Sequence, residues 1–286
     1  MKVEAEHGAC VTGVLKKLDV SKSGYYDFLK RKPCKQKQKK EELTVVIKEV
    51  HQESKEIYGA PKIAKILNNS GIKVSEKQVG NIMRELGLKA HYIRPYTITT
   101  KDCDFSSELK NELNRNFNPD KPNAAWCTDI TYIWTKEEGF VYLTSVMDLF
   151  SRKIIAWTLS KTMAVEEVLK CIRIAKSRRQ NDEALIIHSD RGSQYTSSEY
   201  QELVSKIKAS YSRKGNCWDN ACIESFHALI KREWLYRFVP EDYDQVYQLV
   251  FEYIEGFYNT IRIHSHCDYI SPNDYEKQYQ EKTRAA

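Results

Sequence analysis

Apolar residues in the first 90 positions recur at helical spacing. In "VTGVLKKLDVSKSGYYDFLKRK" (11–32), two short apolar stripes are separated by a break near Asp19. This pattern predicts two short helices joined by a tight turn, a helix-turn-helix arrangement. The basic run "KRKPCKQKQKKEE" (30–42) then opens a third helix. The apolar stripe of that helix consists of Leu43, Val46, Ile47 and Val50.

A second helix pair is predicted in "YGAPKIAKILNNSGIKVSEKQVGNIMRELGLKA" (58–90). The "NNSG" sequence ends its first helix, and Ser75 is a good N-cap for the second. Lys77, Gln78 and Asn81 lie near the start of that second helix, where a recognition helix would meet a DNA groove. The alternative is a plain helical hairpin with a solvated face.

The pattern changes to β-structure after residue 122. Three segments rich in β-branched and aromatic residues follow one another with short connections, which predicts an antiparallel meander. A helix, a short apolar strand and a further helix come next. This mixed α/β order matches the ribonuclease H-like fold of retroviral integrase cores, here with an N-terminal all-α helix-turn-helix region. The three strand segments are 126–135, 139–150 and 153–160, and the later elements are 164–178, 184–190 and 197–207.

These patterns predict five regions along the chain. They are a helix-turn-helix-like segment with a basic linker (1–40), a second helix-turn-helix region expected to bind DNA (41–92), a polar linker (93–122), the ribonuclease H-like core (123–240), and a C-terminal helix and tail packed on the core (241–286).

Charge is unevenly distributed along the chain. The formal net charge is +6, with 20 basic and 11 acidic residues in positions 1–100 and an acidic excess in the remainder. The basic part indicates either a nucleic-acid partner or a lysine-rich solvated surface. No apolar run approaches the ~20 residues that span a bilayer. No secretory signal precedes the first helix, so we expect a cytoplasmic, nucleoid-associated protein. The eight cysteines form no CxxC pair, so we expect reduced, packed thiols and no zinc site.

Three carboxylates occupy positions that favour metal binding. Asp129 lies inside an otherwise apolar strand, Asp190 ends the "ALIIHSD" strand, and Glu224 lies on the helix after "WDNAC". A carboxylate within an apolar strand is costly unless it is paired or bound to a metal. If the three acids converge at one sheet edge, they form an all-oxygen site for Mg²⁺ that suits two-metal phosphodiester chemistry. Taken singly, each acid could equally be a cap, a turn residue or a surface charge.

Several longer motifs together carry a family resemblance. "WCTDITYI", "HSDRGSQYTS", "SRKGNCWDNACIESF" and "YNTIRIHSHCDYISPNDYE" resemble the DDE transposases of bacterial insertion sequences, in particular the second open reading frame product of the insertion-sequence-three family. The helix pair at 58–90 resembles the helix-turn-helix segment of that family. The resemblance extends from about residue 10 to residue 280.

This resemblance implies a transposase that cleaves one DNA strand at an element end and joins the 3′-hydroxyl to another strand by direct transesterification. The catalytic and metal-binding triad of the family falls on Asp129, Asp190 and Glu224, with two Mg²⁺ or Mn²⁺ ions as cofactor. Lys231 matches a basic position near the element-end DNA. The implied partners are the DNA of element ends and target, further copies of the chain on that DNA, and an upstream-frame product, free or fused.

Two departures from the family pattern keep alternatives open. Only 33 residues separate Asp190 from Glu224, about two fewer than the family usually has. Asp268 stands where the family usually has Gly, so that turn is expected to be strained or built differently. Two alternatives to the transposase hypothesis therefore remain open. One is a copy that binds element ends without catalysis, and the other is a nuclease that only hydrolyses DNA.

Further basic and polar residues are predicted to contact DNA. They are Arg213, Lys214 and Asn216 on the loop before the Glu224 helix, Arg191 directly after Asp190, and Arg262 in "YNTIRIH".

In the helix that carries Glu224, Asp219 or Asn220 is the expected N-cap. Glu224, His227 and Lys231 should share one face of that helix, since the spacing covers about two turns. Ile223, Phe226 and Ile230 should form the buried stripe. Outside this helix, Asp148 is expected to be structural, and His188 either lines the site or packs in the core.

Overall fold

The computed structural model describes residues 11–30, 34–91, 109–179 and 185–285. The chain divides into two compact units, Met1–Gln52 and Glu53–Ala286. None of the helices in the described ranges is both long and apolar enough to cross a bilayer. Five cysteines are free thiols, and three of them are buried: Cys127, Cys171 and Cys267; the other two are Cys34 and Cys222.

The first unit consists of helices α1 (Val11–Lys17), α2 (Lys22–Lys30) and most of α3 (Lys35–Glu53). The predicted break lies at Asp19, whose backbone is left-handed with φ of 54°. Leu15 and Tyr25 are buried on the first two helices, and Leu43 and Ile47 are buried on α3. The apolar stripes therefore lie on the predicted helices.

The second unit begins with the predicted helix pair, α4 (Ala60–Asn69) and α5 (Glu76–Glu85). The Ser75 hydroxyl accepts a hydrogen bond from the Gln78 backbone N–H at 3.2 Å, so Ser75 is the predicted N-cap. In the intervening turn Gly71 has φ of +85°, a conformation that glycine adopts without strain. The facing apolar residues are buried: Ile63, Ala64, Leu67, Val79, Ile82 and Met83.

A five-stranded mixed sheet forms the centre of this unit. The strands are β1 (Ala125–Thr135), β2 (Gly139–Asp148), β3 (Ile154–Ser160), β4 (Ile186–Ser189) and β5 (Lys208–Tyr211), in the spatial order β3-β2-β1-β4-β5. The first three strands form the predicted antiparallel meander. β4 runs parallel to β1, and β5 runs parallel to β4. This arrangement confirms the predicted ribonuclease H-like α/β core.

Helices cover both faces of the sheet. They are α6 (Val165–Arg179), α7 (Ser193–Thr196), α8 (Ser198–Val204), α9 (Ala221–Glu233), α10 (Tyr243–Tyr253) and α11 (Pro272–Ala285). Alternate residues of a strand point to opposite faces, so Trp126 and Val146 contribute to one core together with helix α6. α9 and α10 supply Phe226, Ile230 and Val250 to the buried interior.

Part of the segment predicted as a linker lies against this core. Leu113 is buried, and its backbone N–H donates to the Ser210 hydroxyl at 2.9 Å. The Tyr211 backbone N–H donates to the carbonyl of Lys110 at 3.0 Å. The stretch around Leu113 therefore extends the β5 edge of the sheet, although its sequence is polar and weakly periodic.

Candidate active site

Asp129 lies in β1, and Asp190 directly follows the neighbouring parallel strand β4. Cys127 of β1 pairs with His188 of β4, so each of the two acids lies two residues beyond this last pair. Adjacent strands are about 4.8 Å apart, so the two carboxylates share one edge of the sheet. Burial raises the pKa of Asp190 to about 6, and the nearby Asp129 charge adds to this rise.

Glu224 approaches the same edge from α9. The Asn220 side-chain amide, directly before this helix, donates to the carbonyl of Thr128 at 3.3 Å and so fixes the start of α9 beside Asp129. Burial, together with the charges of Asp129 and Asp190, raises the pKa of Glu224 to about 7. All three carboxylates therefore interact electrostatically. The short Asp190–Glu224 spacing does not remove Glu224 from the other two acids.

The donor chemistry of this cluster suits a hard divalent cation. Carboxylate oxygens are the preferred ligands of Mg²⁺ and Mn²⁺, and the raised pKa values of Asp190 and Glu224 reflect burial together with neighbouring negative charge. The buried Oδ1 atom of Asn220 next to Thr128 also has no hydrogen-bond partner. Within the described ranges, however, no three His, Cys, Asp or Glu side chains stand close enough together to hold one ion. The match is therefore one of donor type, and ligation requires the acids to rotate toward one another.

His227 and Lys231 lie on the same face of α9 as Glu224, as the spacing predicted. His227 Nδ1 is 3.4 Å from Asp129 Oδ2, and its Nε2 is 3.3 Å from the Ser145 hydroxyl of β2. The Lys231 ammonium lies 4.5 Å from the centre of the Tyr132 ring. Burial lowers the pKa of Lys231, whereas the Asp129 charge raises it. The histidine contact with Asp129 was not anticipated, although its position three residues after Glu224 pointed to this face.

The loop before α9 is built around Asp219. This carboxylate is fully buried and accepts hydrogen bonds from the Arg213 backbone and guanidinium, from Arg115 Nε at 2.6 Å and from the Asn111 amide. Because of these donors, the pKa of Asp219 lies far below its usual value. The N-cap position itself is Asn220, whose side chain makes no cap hydrogen bond. Asp219 is therefore an anchor for the loop and not the helix cap.

Sequence similarity extends over most of the chain. The protein is 42% identical over 249 residues to a transposase for the insertion sequence element IS904 of Lactococcus lactis, covering 86% of this chain and 98% of that protein. It is 33% identical over 267 residues to the transposase InsF for insertion sequence IS3A of Escherichia coli, covering 91% and 92%. The chain belongs to the IS3 family of transposases.

Family models agree with this assignment. Residues 119–217 and 205–272 of the transposase match integrase core domains, and residues 38–96 match an HTH-like domain. The family is one of polynucleotidyl transferases with an integrase core. Among solved structures, the catalytic core domain of HTLV-2 integrase in complex with magnesium covers 55% of this chain at 18% identity, with a TM-score of 0.42. A likeness this weak does not inform the site.

The residues predicted to contact DNA differ in their availability on the transposase. Lys77, Gln78 and Asn81 are exposed on the first turns of α5. Lys214 is exposed on the loop before α9. The side chains of Arg213, Arg191 and Asn216 make hydrogen bonds with other residues of the protein. The guanidinium of Arg213 is paired with Asp219, that of Arg191 donates to the carbonyls of Ser212 and Leu109, and the amide oxygen of Asn216 accepts from Arg115.

The expectation that Arg262 contacts DNA is wrong in this structure. Arg262 is 5% exposed, and its guanidinium makes a two-point ion pair with Glu233 at 2.8 and 2.7 Å. The Tyr253 hydroxyl donates to the same carboxylate at 2.6 Å. A cation held in this way serves the packing between α9 and the C-terminal segment. A lone Arg in a polar stretch looks the same in sequence whether it is buried or exposed.

Two residues near the strands are structural, and the turn at Asp268 has a backbone conformation that favours glycine. Asp148 is buried and accepts hydrogen bonds from the Asn123 and Phe150 backbones, each at 2.9 Å. His188 is buried between the Ser210 and Ser212 hydroxyls, which fits the packing role. Asp268 has a left-handed backbone, with φ of 52° and ψ of 31°.

Proposed function

We propose that this transposase cuts one DNA strand at each end of its insertion sequence and joins the freed 3′-hydroxyl to another strand by direct transesterification. Asp129, Asp190 and Glu224 are the proposed catalytic and metal-binding residues. The observation that carries the proposal is the gathering of these carboxylates at one sheet edge, where burial and neighbouring negative charge raise the pKa of Asp190 and of Glu224, since such a cluster of like charge calls for a cation.

Two Mg²⁺ or Mn²⁺ ions bound by these carboxylates would activate the attacking water or hydroxyl and stabilise the leaving oxygen. Residues of the protein itself would position the carboxylates and the bound DNA strand. His227 holds Asp129 from one side and ties it to Ser145 of the adjoining strand. Lys231 places a cation beside the cluster, where it can contact a phosphate oxygen of the bound strand.

DNA contact is proposed at two places on the chain. The exposed residues Lys77, Gln78 and Asn81 of α5 would contact the element end, since the start of a recognition helix commonly enters a groove. Around the loop before α9, Lys214, Arg213, Asn216 and Arg191 would contact phosphates near the carboxylates. The pairing of Arg213 with Asp219 fixes this loop, which favours a preformed phosphate-binding surface.

The proposed working form is a set of copies assembled on both element ends, acting with the upstream-frame product, at the bacterial nucleoid in the cytoplasm. Two DNA ends must be brought together for strand transfer into one target. This requirement supports a multimer on DNA.

The test uses labelled element-end DNA incubated with the protein and Mg²⁺ or Mn²⁺, with and without the upstream-frame product. We expect a single-strand cut that leaves a 3′-hydroxyl, followed by a joined product. Asp129→Asn should abolish both products but leave DNA binding nearly intact, because this nearly isosteric change removes a ligand charge and leaves the helices of the N-terminal region unchanged. Glu252→Gln, at an exposed acid on α10, is the matched control.

Two results would overturn the proposal. Cutting by the Asp129→Asn protein would show that Asp129 is not a catalytic residue. If the wild-type protein binds the ends but neither cuts nor joins them under any of these conditions, the chain is a DNA-binding protein without catalysis. Cutting without joining would indicate a nuclease.

A further inference from the structure

A strongly apolar groove opens beside Lys231. We call this surface the aromatic groove and define it by Tyr132, Trp134, Phe140, Tyr236, Phe238 and Lys231, which line a volume of about 450 Å³. Three of its rings lie on the β1–β2 hairpin and are half or more exposed: Tyr132 at 59%, Trp134 at 50% and Phe140 at 50%. Large rings grouped in one exposed patch usually mark a binding surface.

Lys231 links the groove to the carboxylate cluster, because it lines the groove and interacts electrostatically with Asp129. β4 pairs with β1 only from Ala125 to Cys127, so the edge of β1 beyond Asp129 is not covered by that strand. Lys231 extends from α9 past this edge and places its ammonium 4.5 Å from the centre of the Tyr132 ring. Tyr132 follows Asp129 by three residues, which places it about 10 Å further along the strand with its side chain on the opposite face. That distance corresponds to about three nucleotide steps of a DNA strand.

The exposed rings are grouped on one face of the hairpin. Trp134 and Phe140 are direct partners across the β1–β2 ladder, so they lie on the same face. Tyr132 meets Phe140 edge to face, with ring centres 5.2 Å apart. In an edge-to-face pair neither ring covers both flat sides of the other, which leaves π-surface for a planar guest.

The charge and shape of the groove indicate the chemistry of its occupant. Among the described residues that line it, Lys231 is the only charged one. Aromatic rings with a cation beside them match a nucleobase attached to a phosphate. A volume of about 450 Å³ falls in the range of pockets that enclose small planar ligands. A second copy of the chain would instead need a complementary patch of about 800 Å² on each partner.

We propose that the aromatic groove stacks unpaired bases of the DNA end, within about three nucleotides of the cut phosphate. This inference rests on the proposed function, because it takes the carboxylate cluster as the place of cutting. Bases inside a duplex are already stacked on their neighbours, so the groove acts on an end that has opened. Stacking in the groove then offsets the cost of opening and holds the strand with its phosphate toward the carboxylates.

The first test compares two DNA ends without divalent cation: a fully paired element end, and the same end with its last three base pairs mismatched. The wild-type protein should bind the opened end more tightly. Trp134→Ala and Phe140→Ala should each reduce this preference about tenfold, which corresponds to about 1.4 kcal/mol of lost stacking. Trp134→Phe retains an aromatic ring and should keep most of the preference for the opened end. Phe251→Ala removes a ring that is also about half exposed but lies on α10 outside the groove, and it should have no effect.

A second measurement locates the base. An opened end carrying 5-iodouracil at each of the last three positions is irradiated with the bound protein, and the crosslinked peptides are identified by mass spectrometry. Crosslinks should fall on residues 132–140 or 235–240. Thermal unfolding of each variant should match that of the wild-type protein, because the altered rings are solvent-exposed.

Crosslinks confined to other regions, or ring variants that keep the full preference for opened ends, would overturn the proposal. A loss of self-association without a change in DNA preference would also overturn it, since the groove would then be a contact between copies. The outcome is separable from the proposed function. A protein that never cuts DNA but loses its preference for opened ends through Trp134→Ala would refute the catalytic proposal and retain this one.

Discussion

Removing the charge of Glu224 should stabilise the metal-free protein at alkaline pH. The pKa of Glu224 rises from an ordinary 4.5 to about 7, because burial and the charges of Asp129 and Asp190 all disfavour its ionised form. Such a rise corresponds to about 3 kcal/mol of unfavourable free energy once the group is ionised. Glu224 is only partly buried, and solvent screening reduces the figure to about 1 kcal/mol.

The pH dependence follows from the direction of this shift. A carboxyl group whose pKa is higher in the folded than in the unfolded state destabilises the fold once it ionises. Its penalty is therefore absent below about pH 4.5 and complete above about pH 7. Glu224→Gln removes the penalty. We expect this variant to unfold about 3 °C higher than wild type at pH 8, with most of the difference gone at pH 5.

The assay is thermal unfolding followed by circular dichroism, in EDTA, at both pH values. Glu252→Gln is the control, because Glu252 is an exposed acid away from the cluster, and its unfolding temperature should not change. Mg²⁺ should raise the unfolding temperature of the wild-type protein at pH 8 more than that of Glu224→Gln. An equal shift of Glu224→Gln at both pH values, or destabilisation at pH 8, would refute the idea that Glu224 is held among like charges.

Three further predictions concern residues around the site. Arg262→Met should destabilise the protein by about 3–5 kcal/mol in denaturant unfolding, because it leaves the Glu233 charge buried without its partner; a loss below 1 kcal/mol would contradict the buried pair. Asp219→Asn should cost roughly 1–2 kcal/mol at pH 7, since its guanidinium partners are half-exposed. As the pKa of Asp219 is depressed, that loss should shrink as pH falls below about 3.8, and a loss independent of pH would argue against the ion pairs. Asp268→Gly should raise stability by up to ~1 kcal/mol, because glycine adopts the left-handed backbone of this turn without strain, whereas Asp268→Val should lower it.

Much of the fold was accessible from sequence because its signals are local. The β-branched and aromatic residues of β1 and β2, the Ser75 cap and the helical stripes of α4 and α5 are each recognised within short stretches of sequence. The meander followed from the order of these elements, whereas the parallel pairing of β4 with β1 was not predicted. Local periodicity and short connections were therefore sufficient for the elements of the core and for its meander.

Side-chain partnerships were less accessible because they join distant parts of the chain. Arg262 forms an ion pair with Glu233, 29 residues away in the sequence, and Arg115 forms one with Asp219, 104 residues away. A polar residue in a weakly periodic stretch gives no sign of such a partner. The stretch around Leu113 therefore resembled a linker, and Arg262 resembled a surface cation. The contact between His227 and Asp129 likewise depends on the placement of α9 over β1 and β2, which only the folded chain defines.

The central claim is that Asp129, Asp190 and Glu224 together hold the cation that the DNA chemistry requires. The most direct measurement is anomalous diffraction at the manganese edge, from crystals of the protein bound to an element end in Mn²⁺. The account predicts manganese peaks within ligand distance of all three carboxylates, and their loss in Asp129→Asn crystals grown in the same way. Manganese bound elsewhere, or the same peaks retained in the Asp129→Asn protein, would contradict it.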